Sequence, residues 1–289
     1  MTKKILITGG QGFLGKTLVN ELKKNSSYEI YEIDLHNCNL LKDNLIFDRL
    51  DHIFHLAAKT FVPDSWENPN EFYEVNILGT SKVLELCRLH KANLTFVSAY
   101  VYGTPLKLPI NEQHPLNISN PYMHSKVIAE SLCSFYSNNF NIKTTIIRPF
   151  NIYGINQRDD FLIPKIIKQV LNNNVKKIQL NSVDPKRDFI FLDDVIRALL
   201  LTMGNRDSML DIYNVGAGES ISINRLIKKI FDISKIEKEL IIENLIRKNE
   251  IMDVVADITK IEKELGWRPM YNIDEGIKQI INYEQNKNY

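Results

Sequence analysis

Short apolar runs alternate with longer segments of helical spacing through the first two-thirds of the chain. The runs at 5–8, 30–34, 52–57, 94–99, 144–148, 189–192 and 212–215 predict strands. Several are almost continuously apolar and β-branched, as expected of strands covered on both faces. Helical periodicity occupies 13–24, 71–90, 121–136 and 193–203. Strand–helix alternation of this kind predicts βαβ units, right-handed crossovers and a parallel sheet. From residue 219 onward the chain is rich in Ile, Lys and Glu, and Ile223, Leu226, Ile227, Ile230 and Phe231 fall at helical spacing. The pattern therefore predicts a doubly wound α/β domain over 1–160 and 181–217. A smaller, mostly helical lobe is expected over 161–180 and 218–289.

The first predicted strand runs into Thr8-Gly9-Gly10-Gln11-Gly12-Phe13-Leu14-Gly15. A dinucleotide pyrophosphate needs backbone N–H groups close to it at a helix N-terminus, and side chains would block that approach. Gly9 would make the turn, Gly12 admit the pyrophosphate, and Gly15 let helix and strand pack. A glycine-rich turn without a ligand shares this spacing, but the position between strand and helix favours the ligand. The second strand ends at Asp34. A carboxylate there accepts hydrogen bonds from the adenosine ribose and repels a 2′-phosphate, so NAD is expected rather than NADP.

Tyr122 and Lys126 stand four residues apart where a helix is expected to begin, with Asn120 as N-cap and Pro121 in the first position. The spacing stacks both side chains on one face. An ammonium beside a phenol is expected to lower the phenol pKa from about 10, so that Tyr122 takes a proton from a substrate hydroxyl near neutral pH. Tyr283 and Lys287 repeat the spacing in the C-terminal tail and are assigned to chance. Ser98, at the end of the fourth predicted strand, would hold the reacting oxygen.

The chain resembles the extended short-chain dehydrogenase/reductases that act on nucleotide-sugars, such as the UDP-glucose 4-epimerases. The resemblance runs through Thr8 to Gly15, His55-Leu56-Ala57-Ala58, Val75-Asn76-Ile77-Leu78-Gly79-Thr80, Ser98 to Gly103 and Asn120 to Lys126. It continues through Arg148-Pro149-Phe150-Asn151-Ile152-Tyr153-Gly154, Arg187-Asp188-Phe189-Ile190, Tyr213-Asn214-Val215-Gly216 and Leu265-Gly266-Trp267-Arg268-Pro269. It implies a Rossmann-type fold, with Ser98, Tyr122 and Lys126 as the catalytic triad. Gly9, Gly12, Phe13, Leu14, Gly15, Asp34, Asn39, Leu40, Leu56, Ala57, Ala58 and Asn76 would join Tyr122 and Lys126 around NAD. Thr60, Ser98, Tyr100, Asn151, Arg187 and Arg247 would meet the substrate, the two arginines and Asn151 at its diphosphate. Helices around 71–90 and 121–136 form the dimer interface in many relatives. The stripe Ile128, Leu132, Phe135 and Tyr136 fits that role, and burial within one chain explains it equally well.

The departures carry information. Relatives that dehydrate the sugar have Asp and Glu immediately after the catalytic hydroxyl residue; here Ala99 and Tyr100 follow Ser98, and alanine has no proton to move. A net charge of +1 gives no pull toward nucleic acid or membrane, and no apolar run approaches a signal peptide core or a membrane span. The cysteines, Cys38, Cys87 and Cys133, are widely spaced, which fits a reducing, cytoplasmic setting. None of the six histidines has metal-ligand spacing, so no metal is expected. Three readings stay open: a 4-epimerase acting through a 4-keto sugar, a 4-ketoreductase or dehydrogenase, and a non-catalytic NAD-binding regulator. The partner would be a UDP-, dTDP-, GDP- or CDP-linked sugar, with a second copy of the chain completing a homodimer. Tyr122→Phe is expected to retain NAD, measured by fluorescence titration, while losing nearly all turnover.

Overall fold

The computed structural model describes residues 2–34, 38–204, 207–243 and 250–287. In chain order it forms β1 (Lys3–Thr8), α1 (Phe13–Lys23), β2 (Tyr28–Ile33), β3 (His52–His55), α2 (Val62–Glu67), α3 (Pro69–Tyr73), a π-helical turn (Glu74–Leu78), α4 (Gly79–His90), β4 (Asn93–Val97), α5 (Pro121–Phe140) and β5 (Thr144–Pro149). The chain continues through β6 (Asn151–Tyr153), α6 (Leu162–Leu171), β7 (Lys177–Leu180), β8 (Lys186–Arg187), β9 (Phe189–Phe191), α7 (Leu192–Leu201), β10 (Leu210–Val215), β11 (Ile221–Ser222), α8 (Ile223–Ser234), β12 (Glu239–Ile242), α9 (Thr259–Leu265) and α10 (Ile273–Lys287).

Contacts divide the chain into two compact units. The first comprises 1–103, 115–149 and 196–213. Its six-stranded sheet has the order β10-β5-β4-β3-β1-β2, and the pairs β1·β2, β1·β3, β3·β4 and β4·β5 are all parallel. This is a Rossmann-like sheet. Strands β2 and β3 flank β1 on opposite sides, so the winding reverses at β1, where ligands of such sheets bind. Leu6, Ile53, Leu94, Phe96 and Ile146 pack with Val83, Leu84, Cys87, Ala129 and Cys133 from α4 and α5. The continuous apolar runs of the sequence are thus explained by a core rather than an open face.

The expected helix over 71–90 is broken into α3, a π turn and α4. Asn76 lies within that turn, and its carboxamide is bonded outside the helix. Single π turns of this kind recur where a helix yields to a tertiary contact. α5 runs four residues past its expected end and closes on Asn141 at φ 56°, a left-handed position that asparagine tolerates. Its buried side is Met123, Ser125, Lys126, Ala129, Glu130, Cys133 and Ser137. Of the stripe Ile128, Leu132, Phe135 and Tyr136, Leu132 and Tyr136 pack against the core of the first unit, whereas Phe135 is 55% exposed, so burial within the chain accounts for part of the stripe and not for Phe135.

The second unit comprises 104–114, 150–195 and 214–289. Ile163, Ile166, Ile167 and Val170 of α6 share one core with Leu226, Ile227 and Ile230 of α8 and Ile277, Ile280 and Ile281 of α10. Three two-stranded pairs, β6·β9, β7·β12 and β8·β11, sit among these helices. The expected division grouped 104–114, 150–160, 181–195 and 214–217 with the sheet domain. Their contacts lie elsewhere: β6 pairs with β9, and Ile110 bridges to Ala256. Ile230 is wholly buried in this core. Ile230→Ala should lower the unfolding free energy by about 2–5 kcal/mol, read as a shifted urea midpoint at an unchanged m-value.

Candidate active site

The glycine turn sits at the carboxyl end of β1. Gly9 adopts φ +76°, and a Cβ there would lie 2.8 Å from the Ala57 nitrogen. Glycine is required on both counts. A Cβ on Gly15 would meet Gly10 Cα at 2.8 Å and the Gly9 carbonyl oxygen closer still. Gly12 is the N-cap of α1 and brings no side-chain cap, leaving the first amides of that helix for an anion. The Asp34 carboxylate accepts the Gln11 N–H at 3.1 Å. These residues fit a dinucleotide: the close approach is glycine-built, the helix end is uncapped by side chains, and a carboxylate stands beside it.

A chain of hydrogen bonds leads from this turn to α5. Thr8 Oγ1 and His55 Nδ1 lie 2.7 Å apart, and His55 Nε2 and Thr80 Oγ1 lie 3.0 Å apart. Thr80 Oγ1 donates to the Asn76 carbonyl at 2.6 Å. Having spent its hydrogen there, Thr80 must accept from His55 Nε2–H, so Nδ1 accepts from Thr8. Burial holds the His55 pKa down at about 3, which keeps the ring neutral for this task. The Asn76 carboxamide accepts from Lys59 N at 2.8 Å, donates to Lys59 O at 3.0 Å, and donates to Ser125 Oγ at 2.9 Å. Ser125 Oγ donates to the Tyr122 carbonyl at 2.7 Å.

α5 starts as its sequence predicts: Asn120 Oδ1 accepts from Met123 N at 2.8 Å, and Pro121 opens the helix. Tyr122 is half-buried, its ring edge-on to Phe72. Among the described residues its hydroxyl has no hydrogen-bond partner. Lys126 is 3% exposed, and its Nζ donates to the Val97 carbonyl at 2.7 Å, beside Ser98. One expectation is reversed. Burial pushes the Tyr122 phenol above its ordinary range rather than Lys126 drawing it down. Burial also holds Lys126 down at about 8.

Ser98 follows β4 directly and is 4% exposed. Its hydroxyl donates to Glu130 Oε1 at 2.5 Å. Arg148 closes the other side of that carboxylate, with Nε to Oε1 at 3.0 Å and Nη2 to Oε2 at 2.6 Å, and gives Nη1 to the Tyr102 hydroxyl at 2.9 Å. Glu130 escaped the sequence reading, although its place four residues after Lys126, on the inward side of a helix, was a signal. Ala99 is buried, and the Tyr100 hydroxyl donates to the Gly103 carbonyl at 2.5 Å.

The remaining expected residues fall as follows. Leu56, Ala57 and Ala58 continue from β3, Phe13 and Leu14 open α1, and Thr60 is exposed. Asn39 accepts from Leu41 N at 3.0 Å, and Leu40 packs into the apolar core of the first unit. In the second unit Asn151 donates to the Asp188 carbonyl at 3.0 Å. Arg187 is bound to the Glu250 carboxylate and to the carbonyls of Lys186 and Ile251. Buried Asp188 accepts from the amides of Ala217, Gly218 and Ala256. Arg247 lies outside the described residues. Among the described residues no cluster of metal-ligating side chains occurs, and no helix is long and apolar enough to cross a membrane.

Residues 16–280 match the GDP-mannose 4,6 dehydratase family. The chain belongs to that family, within the extended short-chain dehydrogenase/reductases that act on nucleotide-sugars. A GDP-6-deoxy-D-talose 4-dehydrogenase of Aggregatibacter actinomycetemcomitans is 32% identical, covering 82% of either chain. The structure of RMD from Pseudomonas aeruginosa complexed with NADPH superposes with a TM-score of 0.90 at 27% identity, over 99% of this chain and 100% of that one. UDP-glucuronic acid 4-epimerase from Bacillus cereus, in complex with UDP-glucuronic acid and NAD, gives 0.87 at 26% identity, over 98% and 99%.

An unfolded lysine binds its proton up to a pKa of 10.5, and folded Lys126 only up to about 8. Between those values the unfolded chain holds the extra proton, so stability rises with pH. Relative to Lys126→Met, the cofactor-free wild type should therefore gain unfolding free energy as pH climbs through that window, and the two should run parallel below it. Urea unfolding at a series of pH values checks this.

Proposed function

We propose that this chain is an NAD-dependent nucleotide-sugar 4-epimerase that removes and returns the hydrogens of the sugar C4 alcohol through a 4-keto sugar. The observation that carries the reading is the Asp34 carboxylate at the glycine turn, bonded to Gln11 N–H. It opposes the 2′-phosphate of NADP(H), the cofactor suited to a reductase drawing on reducing power. The positions of Ser98, Tyr122 and Lys126 support oxidation at the alcohol. Ala99 after Ser98, with the Tyr100 hydroxyl given to Gly103, disfavours dehydration.

In this reading Gly9, Gly12, Gly15, Phe13 and Leu14 hold the pyrophosphate. Asp34 takes the adenosine ribose, Asn39 and Leu40 border the adenine, and Leu56, Ala57, Ala58 and Asn76 line the site. When bound, NAD supplies the acceptor for hydride from C4. Tyr122 takes the C4 hydroxyl proton and later returns it. Burial raises this phenol above its ordinary range, and the positive charge of bound NAD would favour its ionised form. Lys126, anchored on Val97, bonds the nicotinamide ribose. Ser98 holds the reacting oxygen, with Thr60 and Tyr100 beside the sugar. Asn151, Arg187 and Arg247 take the diphosphate; Arg187 exchanges its Glu250 carboxylate for phosphate oxygens of the same geometry.

A second reading, a 4-dehydrogenase or ketoreductase, is favoured by the relative from Aggregatibacter actinomycetemcomitans. We further propose a cytoplasmic homodimer. The free cysteines Cys38, Cys87 and Cys133 suit a reducing compartment. The Phe135 and Phe140 rings are exposed at the end of α5 and meet each other and Tyr136, so a second copy packing there would cover them.

Turnover of a panel of UDP-, dTDP-, GDP- and CDP-sugars and their 4-keto forms tests the activity. The epimerase should interconvert C4 epimers with no added cofactor and keep NAD through gel filtration. Complete loss of NAD on the column, with turnover only when cofactor is supplied, would establish the dehydrogenase or reductase instead. Asp34→Ala should narrow the preference for NAD over NADP in binding titrations.

A further inference from the structure

The Ser98 hydroxyl has one hydrogen, and the structure gives it to Glu130 Oε1 at 2.5 Å. Glu130 is 5% exposed and Arg148 4%. An ion pair so deep in a protein costs desolvation that its attraction only partly repays, and an apolar pair would pack there more cheaply. Arg148 grips both carboxylate oxygens, and a guanidinium fork fixes a carboxylate in plane as well as in place. That orientation directs Oε1 at Ser98 while the third Arg148 nitrogen holds the Tyr102 hydroxyl. Ser98 and Tyr102 thus hang from the same guanidinium–carboxylate pair, and the strand-end stretch between them carries Ala99 and Tyr100. Ser98 N also donates to the Ile147 carbonyl at 2.8 Å, so backbone and side chain of the serine are both fixed.

We infer that Glu130, oriented by Arg148, is a positioning residue for the reaction: by taking the Ser98 hydrogen it sets the serine rotamer and leaves an Oγ lone pair to accept from the C4 hydroxyl before Tyr122 takes that proton. The inference rests on the reading of Ser98 as the residue that holds the reacting sugar oxygen. Glu130 touches no substrate itself. It shares the inward side of α5 with Lys126, one turn away, so one helix fixes the ammonium directly and the serine through a carboxylate. Without Glu130 the serine side chain rotates among its staggered wells, and a displacement of about 1 Å at a reacting group costs about 100-fold in rate.

A double-mutant cycle on the full-length, NAD-loaded protein tests this, using whichever nucleotide-sugar the wild type turns over. Glu130→Gln should lower kcat about 10- to 100-fold with Ser98 present, and by less than about two-fold in Ser98→Ala, where nothing remains to position. The thermal midpoint should fall in both backgrounds, because Arg148 loses its charge partner either way. Ser98→Thr, which keeps the hydroxyl, should restore the sensitivity to Glu130→Gln. If Glu130→Gln does not fold, Glu130→Asp, which draws the carboxylate back by one methylene, takes its place in the same cycle. Equal kcat losses with and without Ser98, in an active wild type, would overturn the role of Glu130 and leave the C4 chemistry standing. A wild type that binds NAD but turns over no sugar of the panel would overturn the C4 reading and the inference with it.

Discussion

The Asn76 carboxamide is the joint on which the first unit's chemistry depends. It exchanges two hydrogen bonds with the backbone of Lys59, in the loop after β3, and donates a third to Ser125 on α5. Three elements distant in sequence are thereby held in one arrangement. His55 and Thr80 extend the connection to Thr8, the residue before the glycine turn, and Ser125 extends it to the Tyr122 carbonyl. Every polar group in the series has its partner, which is the condition for a buried network to rigidify a protein rather than weaken it. The helix accommodates the joint by opening into a π turn at Asn76.

Burial dominates the electrostatics of the same region. It depresses the imidazole of His55 and the ammonium of Lys126 and raises the phenol of Tyr122. Each shift favours a neutral group. Such a site is set for charge to arrive with its ligand: an added cation strengthens the acidity of Tyr122 far more in a dry setting than it would in water. The Glu130–Arg148 pair is the exception, a full ion pair in the same core, closed on itself by paired hydrogen bonds.

The second unit uses its polar groups differently. Asp188 gathers backbone amides from two loops, at Ala217–Gly218 and at Ala256. Burial raises its pKa to about 7 even though those amides favour the charged form. Its neighbour Arg187 is held by the Glu250 carboxylate.

Local rules made much of this protein legible from its sequence. The sheet strands follow from apolar runs, the start of α5 from Asn120 and Pro121, and the turn after β1 from glycines whose Cβ atoms would collide with Ala57 and Gly10. The runs, the cap and the glycine spacing are local patterns, so the chain displays them, although the Ala57 contact that demands Gly9 is made only in the fold. The pairing of β6 with β9, and the attachment of 104–114 through Ile110 to Ala256, depend on residues far apart and left no periodic trace. Glu130 showed its inward position by its spacing from Lys126, but its partners, Ser98 just after β4 and Arg148 on β5, are set only by the fold. The expected effect of Lys126 on Tyr122 failed for a related reason. Spacing along a helix sets which side chains share a face, but only the packed fold decides how much water remains around them and where they reach: Tyr122 is shifted by burial, and the Lys126 ammonium is bonded to the Val97 carbonyl.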